Sequence, residues 1–141
     1  MTPEQIAKAD TEHAHQTALF CWAAANQARF PELRWMHAIP NGGLRSKAQA
    51  GKLKAEGVKS GVPDVFLPVA RGYFHGLYIE MKKPSLKPVR GGKGGVSDEQ
   101  AEFMRDARAN GYAAAVCYDW NHAKNLICMY LDGNLCLELT R

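Results

Sequence analysis

Asp64, Glu80 and Lys82 are the residues of this chain whose types and spacing could do chemistry together. Asp64 stands at the mouth of a short apolar run, Val65-Phe66-Leu67, directly after Pro63. That proline fixes φ and removes a backbone donor, as suits the first residue of a strand. Glu80 and Lys82 close a second run, Leu77-Tyr78-Ile79-Glu80-Met81-Lys82. Both runs are rich in β-formers and bounded by Gly and Pro, so they read as two neighbouring strands. Side chains alternate across a strand, which puts Glu80 and Lys82 on one face and Leu77, Ile79 and Met81 on the other. Two carboxylates and an ammonium then converge on one edge of a sheet, the outline of a site for a metal ion and a phosphate. Mg²⁺ takes hard oxygen ligands, keeps several waters, and is held by one or two carboxylates plus phosphate oxygens. A lysine two residues from such a ligand can reach the scissile phosphate or the attacking water. Taken alone, Glu-x-Lys is a solvated charge pair and Asp after Pro a turn residue. Their coincidence in adjacent strands, with apolar partners at the alternate positions, carries the reading.

The elements around these strands must position them. Residues 11–28 read as a helix, because Ala14, Ala18, Leu19, Trp22, Ala23 and Ala25 form an apolar stripe that Pro31 ends. Glu12 and Gln16 lie one turn apart on a common face. His13 and His15 diverge at i and i+2, so the reading assigns both to the surface. Residues 35–39 predict a strand, ended by the turn-forming Pro40-Asn41-Gly42-Gly43, whose bare amides can approach a ligand closely. Residues 46–56 predict a helix closed by Gly57. Arg45, Lys47, Lys52, Lys54 and Lys59 face a single acid here, Glu56, and lead into Asp64, so Arg45 and Lys59 suit phosphate contact. Residues 83–96 carry Lys83, Lys87, Arg90 and Lys93 with no acid, four glycines and two prolines. They predict a flexible basic loop, either a clamp that orders on DNA or a plain linker. Ser97-Asp98-Glu99-Gln100 is a capping box that opens a helix to about residue 110. Residues 112–118 predict a strand, and Asp119 caps a last helix over 120–130. Leu135, Leu137 and Leu139 then alternate as an edge strand or a pairing segment. The order α-β-α-β-β-α-β-α predicts a mixed α/β fold with an antiparallel pair at its centre.

Pro63-Asp64 followed by Glu80-Met81-Lys82 resembles the PD-(D/E)XK nuclease signature. Four blocks in order look like its VRR-NUC branch, often found as small stand-alone phage proteins. They are Pro40-Asn41-Gly42-Gly43-x-Arg45, Glu56-Gly57-Val58-Lys59-x-Gly61-Val62-Pro63-Asp64, Gly76-Leu77-Tyr78-Ile79-Glu80-Met81-Lys82 and Ser97-x-x-Gln100. The resemblance covers roughly residues 10–131. It implies a restriction-endonuclease-like mixed central sheet flanked by helices. It also implies Mg²⁺ or Mn²⁺ held by Asp64, Glu80 and the Met81 carbonyl, with Lys82 activating water. Glu12 of the first helix would complete the acidic cluster, supported by Gln16, and Gln100 would stand near Lys82 and phosphate. Asn41, Arg45, Lys59, Lys83, Lys87, Arg90 and Lys93 would contact nucleic acid. Small relatives of the wider superfamily act as homodimers on branched DNA, which sets the same expectation here.

Length and composition are compatible with this. The 141 residues suit one domain, and 46% hydrophobic with 23% charged residues is ordinary for a soluble globular protein. No apolar run approaches the roughly 20 residues that span a bilayer, and residues 1–10 lack the build of a signal peptide. Cys21, Cys117, Cys128 and Cys136 show no Cys-x-x-Cys pairing, so free thiols in a reducing cytoplasm are expected. A net charge of +4 is too modest to prove a nucleic-acid partner. The combined reading is a metal-dependent deoxyribonuclease that recognises DNA shape over sequence. A non-catalytic nucleic-acid-binding module, a structural protein of a phage or operon, and a nuclease acting on RNA are the alternatives.

Overall fold

Residues 65–67 and 77–81 form the two strands that their alternation predicts, and they pair antiparallel as Val65↔Ile79, Phe66↔Tyr78 and Leu67↔Leu77. The computed structural model describes residues 1–40 and 46–135; Asn41, Arg45, Cys136, Leu137 and Leu139 lie outside the described residues. Helices α1 (Pro3–Ala7) and α2 (Glu12–Ala25) come first, then strand β1 (His37–Ala38) and helix α3 (Lys47–Ala55). The paired strands are β2 (Val65–Leu67) and β3 (Leu77–Met81), followed by α4 (Asp98–Ala109), β4 (Ala113–Cys117) and α5 (Trp120–Leu131). The sheet order is β1-β2-β3-β4, with β3 and β4 parallel. This is the expected mixed sheet flanked by helices.

The strand alternation sorts the two faces. Val65, Leu67, Leu77, Ile79, Met81, Ala113, Ala115 and Cys117 join one core with Ala18 and Leu19 of α2 and Ala123, Ile127 and Tyr130 of α5. Small residues in β4 let α5 come close on this face, while α4 packs on β4 from the other side. On the α4 face Phe66 stacks on Tyr78 with ring centroids 4.4 Å apart, and Phe103 of α4 meets Tyr78 edge-on at 5.1 Å. These rings make the packing against which Glu80 and Lys82 are set.

Several elements differ from the sequence expectation. The N-terminal residues form the short helix α1, because Thr2 and Gln5 close a capping box around it. The strand expected over 35–39 is reduced to His37–Ala38, since Pro31 starts a 3-10 turn that runs to Trp35. Ile39 still donates its N–H to the Asp64 carbonyl at 2.7 Å, so the ladder reaches the site. His15 is buried, contrary to its surface assignment. Its Nδ1 accepts the Trp120 N–H at 3.1 Å and its Nε2 pairs with Asp10 at 2.8 Å, tying α2 to the start of α5. Cys21, Cys117 and Cys128 are free thiols, and burial pushes the Cys117 thiol up to about 12. Among the described residues no helix is long and apolar enough to cross a membrane.

The basic loop has a buried anchor. Lys83, Lys87, Arg90 and Lys93 are all exposed, but Gly94 is buried, and its carbonyl accepts the Tyr118 hydroxyl at 3.0 Å. The loop expected to be flexible is therefore tied down at Gly94. A Cβ there would stand 2.0 Å from the Tyr118 oxygen, so only glycine fits beneath the ring. Losing this bond leaves the Gly94 carbonyl without its partner, a cost of about 1 kcal/mol. Tyr118→Phe should therefore speed tryptic cleavage at Arg90 or Lys93 several-fold while lowering Tm by only about 2–5 °C. An unchanged cleavage rate would show that Tyr118 does not hold the loop.

Candidate active site

The antiparallel register builds the centre. One step beyond Val65↔Ile79, Asp64 lies across from Glu80, and both side chains take the α4 face. Pro63 ends the approach to β2, and Ile39 from β1 fixes the Asp64 main chain. Asp64 Oδ2 accepts the Met81 N–H at 2.8 Å, so this carboxylate is aimed across the strand pair. The Met81 side chain is fully buried in the opposite core, which leaves its main chain at the centre. Lys82 N–H donates to the Cys117 carbonyl at 2.9 Å, extending the ladder so that Lys82 stays on Glu80's face. Its Nζ lies 3.3 Å from Glu80 Oε1.

Gln100 completes this group from α4. Its Oε1 accepts the Ser97 N–H at 2.9 Å as the capping box requires, while its Nε2 donates to Glu80 Oε1 at 3.0 Å. One side chain thus both caps the helix and hydrogen-bonds Glu80. The segment before Asp64 is pressed against the same helix end. Ser60 Oγ donates to Glu99 Oε2 at 2.5 Å, and a Cβ on Gly61 would meet the Glu99 carbonyl at 2.8 Å. Gly61 also sits at φ +85°, where a side chain is strained, so glycine is needed twice over.

The electrostatics follow from burial of like charges. Glu80 is 1% exposed, and its Oε2 has no hydrogen-bond partner. Burial, then the neighbouring Asp64 charge, push its carboxyl up to about 8, against the pull of Lys82. Burial also raises Asp64, opposed by the Met81 N–H and Lys82. Both carboxyls of the pair are thus pushed toward their protonated forms by burial, Glu80 more strongly because the Asp64 charge adds to it. Glu12, half-buried at the start of α2, is raised by burial and by Asp64 and lowered by Lys82 and Lys83. It therefore stands in the same field. It does not close a tighter cluster: no group of three His, Cys, Asp or Glu side chains suited to a metal occurs among the described residues. Gln16, half-buried beside Glu12, makes no side-chain hydrogen bond among the described residues.

The structure thus brings together Asp64, Glu80, Lys82, Gln100 and the Met81 main chain, with Glu12 and Lys83 coupled to them through charge. Lys59, Lys87, Arg90 and Lys93 lie exposed outside this group, and Lys93 pairs with Asp98 at 3.2 Å. The family model of the VRR-NUC domain matches residues 1–120. The chain belongs to the VRR-NUC domain family. A solved structure described as a VRR_NUC domain protein superposes with a TM-score of 0.70 at 28% identity, covering 93% of this chain and 96% of that one. No curated protein matches the chain. VRR-NUC is a nuclease-type domain, and the centre described above is its candidate active site.

The raised Glu80 fixes a sign for stability. Between its ordinary value near 4.5 and about 8, the folded state binds more protons than the unfolded state, so stability falls as pH rises through that window. In EDTA, the wild-type Tm should therefore drop from pH 5 to pH 8 relative to Glu80→Gln, whose amide carries no charge. At pH 8 the variant should be the more stable by about 1–2 kcal/mol, a few degrees of Tm. Parallel Tm profiles of the two proteins would refute a buried, proton-holding Glu80.

Proposed function

We propose that the chain is a divalent-metal-dependent deoxyribonuclease that hydrolyses phosphodiester bonds at the Asp64–Glu80–Lys82 centre. The observation that carries this reading is the buried Glu80 oxygen without a hydrogen-bond partner, beside a second carboxylate and an ammonium. Such an atom costs about 1–3 kcal/mol unless something electropositive meets it. Asp64 and Glu80 offer only hard oxygens, which suits Mg²⁺ or Mn²⁺ and not a softer ion. The residues fit the group that this nuclease-type family implies. Asp64 and Glu80 would hold it with the Met81 carbonyl, and Glu12 would join through water or a further ion. When bound, such an ion supplies Lewis-acid stabilisation of phosphoryl charge and a bound water of lowered pKa.

The chain's own residues do the rest. Lys82 presents an ammonium that orients the attacking water and offsets charge on the pentavalent phosphate. Gln100 keeps Glu80 in one rotamer, so the two carboxylates do not swing apart. The Met81 N–H does the same for Asp64. Lys59, Lys83, Lys87, Arg90 and Lys93, with Asn41 and Arg45, are the groups we assign to the DNA backbone. The resemblance supports branched or junction DNA as substrate and a homodimer as the acting species, since two copies can address two strands.

The test is cleavage of end-labelled duplex, flap and four-way-junction DNA, and of RNA duplex, with Mg²⁺, Mn²⁺ or EDTA. Asp64→Ala and Lys82→Ala should each lose at least about 10²-fold in rate, and Gln100→Ala about 10–100-fold. EDTA should abolish cutting, and light scattering should give twice the chain mass. Wild-type protein that binds these DNAs but cuts none with either metal would overturn the nuclease reading. Faster cutting of RNA would overturn DNA as the substrate.

A further inference from the structure

Helix α3 has no evident reason to exist within the fold. Of its residues only Leu53 is half-buried; all others are exposed, and none is buried. A polar helix of this length is marginal on its own in water, and helical stability in proteins comes mainly from packing one face. α3 is instead held by local means. Ser46 and Gln49 form a capping box at its start, and Lys52 and Lys54 complement the dipole at its last turn. Its charge is one-sided: Lys47, Lys52 and Lys54, with Lys59 just beyond, face only Glu56, and none of the four lysines makes an ion pair among the described residues.

The arrangement on the helix is specific. Lys47, Gly51 and Lys54 fall at i, i+4 and i+7, which places them on one face. Lys52 points well away from that face. Gly51 in the helix interior costs about 1 kcal/mol relative to alanine, yet nothing lies within 4 Å of where its Cβ would be. No packing among the described residues explains it. A glycine between two lysines exposes main chain to whatever docks there, and lets a backbone approach closely.

We propose that this face of α3 is a docking surface for the phosphate backbone of the DNA flanking the cut. The proposal rests on the nuclease reading and extends it to a second contact region. Charge complementarity selects the occupant: two unpaired ammonium groups beside a bare helix backbone match adjacent phosphates. The chain from Ala55 to Asp64 is about nine residues and spans at most about 30 Å. Lys47 lies up to about 12 Å further back along the helix, so with one phosphate per roughly 3.4 Å of strand the contacts lie within about twelve nucleotides of the centre.

The experiment measures binding of a fluorescein-labelled junction DNA by anisotropy, across a salt series in EDTA so that no cleavage intervenes. Lys47→Gln/Lys54→Gln should reduce the slope of log K against log salt by about 1.8, or about 0.9 for each lost phosphate contact. Affinity near 100 mM salt should fall at least about tenfold. Lys52→Gln should change the slope by less than half as much, and circular dichroism should show unchanged helix content in both, since glutamine is as good a helix former as lysine. Gly51→Gln should strengthen the helix yet weaken binding about threefold or more. An unchanged slope in the double variant, a Lys52→Gln effect as large, or equal binding by Gly51→Gln overturns the proposal. Because binding is read without cleavage, failure of the nuclease reading appears separately, as binding without cutting.

Discussion

The structure depends on two carboxylates held across a strand pair on the same face, Glu80 buried and Asp64 half-buried. Asp64 and Glu80 are set opposite each other by the β2–β3 register, and like charges so placed repel. Nothing local favours this arrangement. The opposite face of the same strands supplies the compensation, where Leu67, Leu77, Ile79 and Met81 are each completely buried. Burying a side chain of this size contributes about 1.5–3 kcal/mol, whereas an unsatisfied buried oxygen costs about 1–3 kcal/mol. The core wins, and the register cannot slip, since a shift of one residue would expose this apolar set and bury its polar neighbours. The site is strained electrostatically because its scaffold is secure hydrophobically.

Holding the pair also explains why position 100 is glutamine. A capping box accepts either Glu or Gln at its third helical position. Only the amide has an acceptor for the Ser97 N–H and a donor left for Glu80. A glutamate there would cap the helix equally well and bring another carboxylate against Glu80. The same side chain thus starts α4 and fixes the rotamer of a residue on β3. The Tyr78–Phe103 contact then docks the helix on the sheet one turn further along.

What could be read in the sequence was whatever a short period encodes. Alternation placed Glu80 and Lys82 on one face and their apolar neighbours on the other, and Gly and Pro bounded the strands. The helical period was likewise available for His15, but its divergence from His13 argued for the surface at both. It lies three and four residues before Ala18 and Leu19, inside the stripe that defines the buried face of α2. Its partners, Asp10 and the Trp120 N–H, are respectively too irregular and too distant in sequence to announce themselves. The tether of Gly94 by Tyr118 is similarly long-range, joining a loop without pattern to the end of β4. The truncation of β1 had a local signal, Pro31, whose fixed φ suits a helical turn as readily as the end of a helix. For the site, the types were legible and the geometry was not: the sequence named Asp64, Glu80, Lys82 and Gln100, but only the fold reveals the orphaned oxygen between them.

That oxygen also makes sense of the charge distribution. A centre containing Asp64 and Glu80, with Glu12 in its field, repels a phosphodiester at a distance. The chain surrounds it with cations that are exposed and mostly unpaired: α3 and Lys59 on the approach to β2, and Lys83, Lys87 and Arg90 on the departure from β3. A net charge of +4 understates this, because the acids are concentrated elsewhere, as with Glu99, Glu102 and Asp106 along α4. Screening limits exposed charges to about 10 Å at moderate salt, so lysines remote from the centre cannot neutralise it directly. On the proposed reading they bind phosphates on either side and so offset the repulsion at the middle one. On that reading, basic flanks around a half-buried acidic pair are what lets a phosphodiester reach the carboxylates.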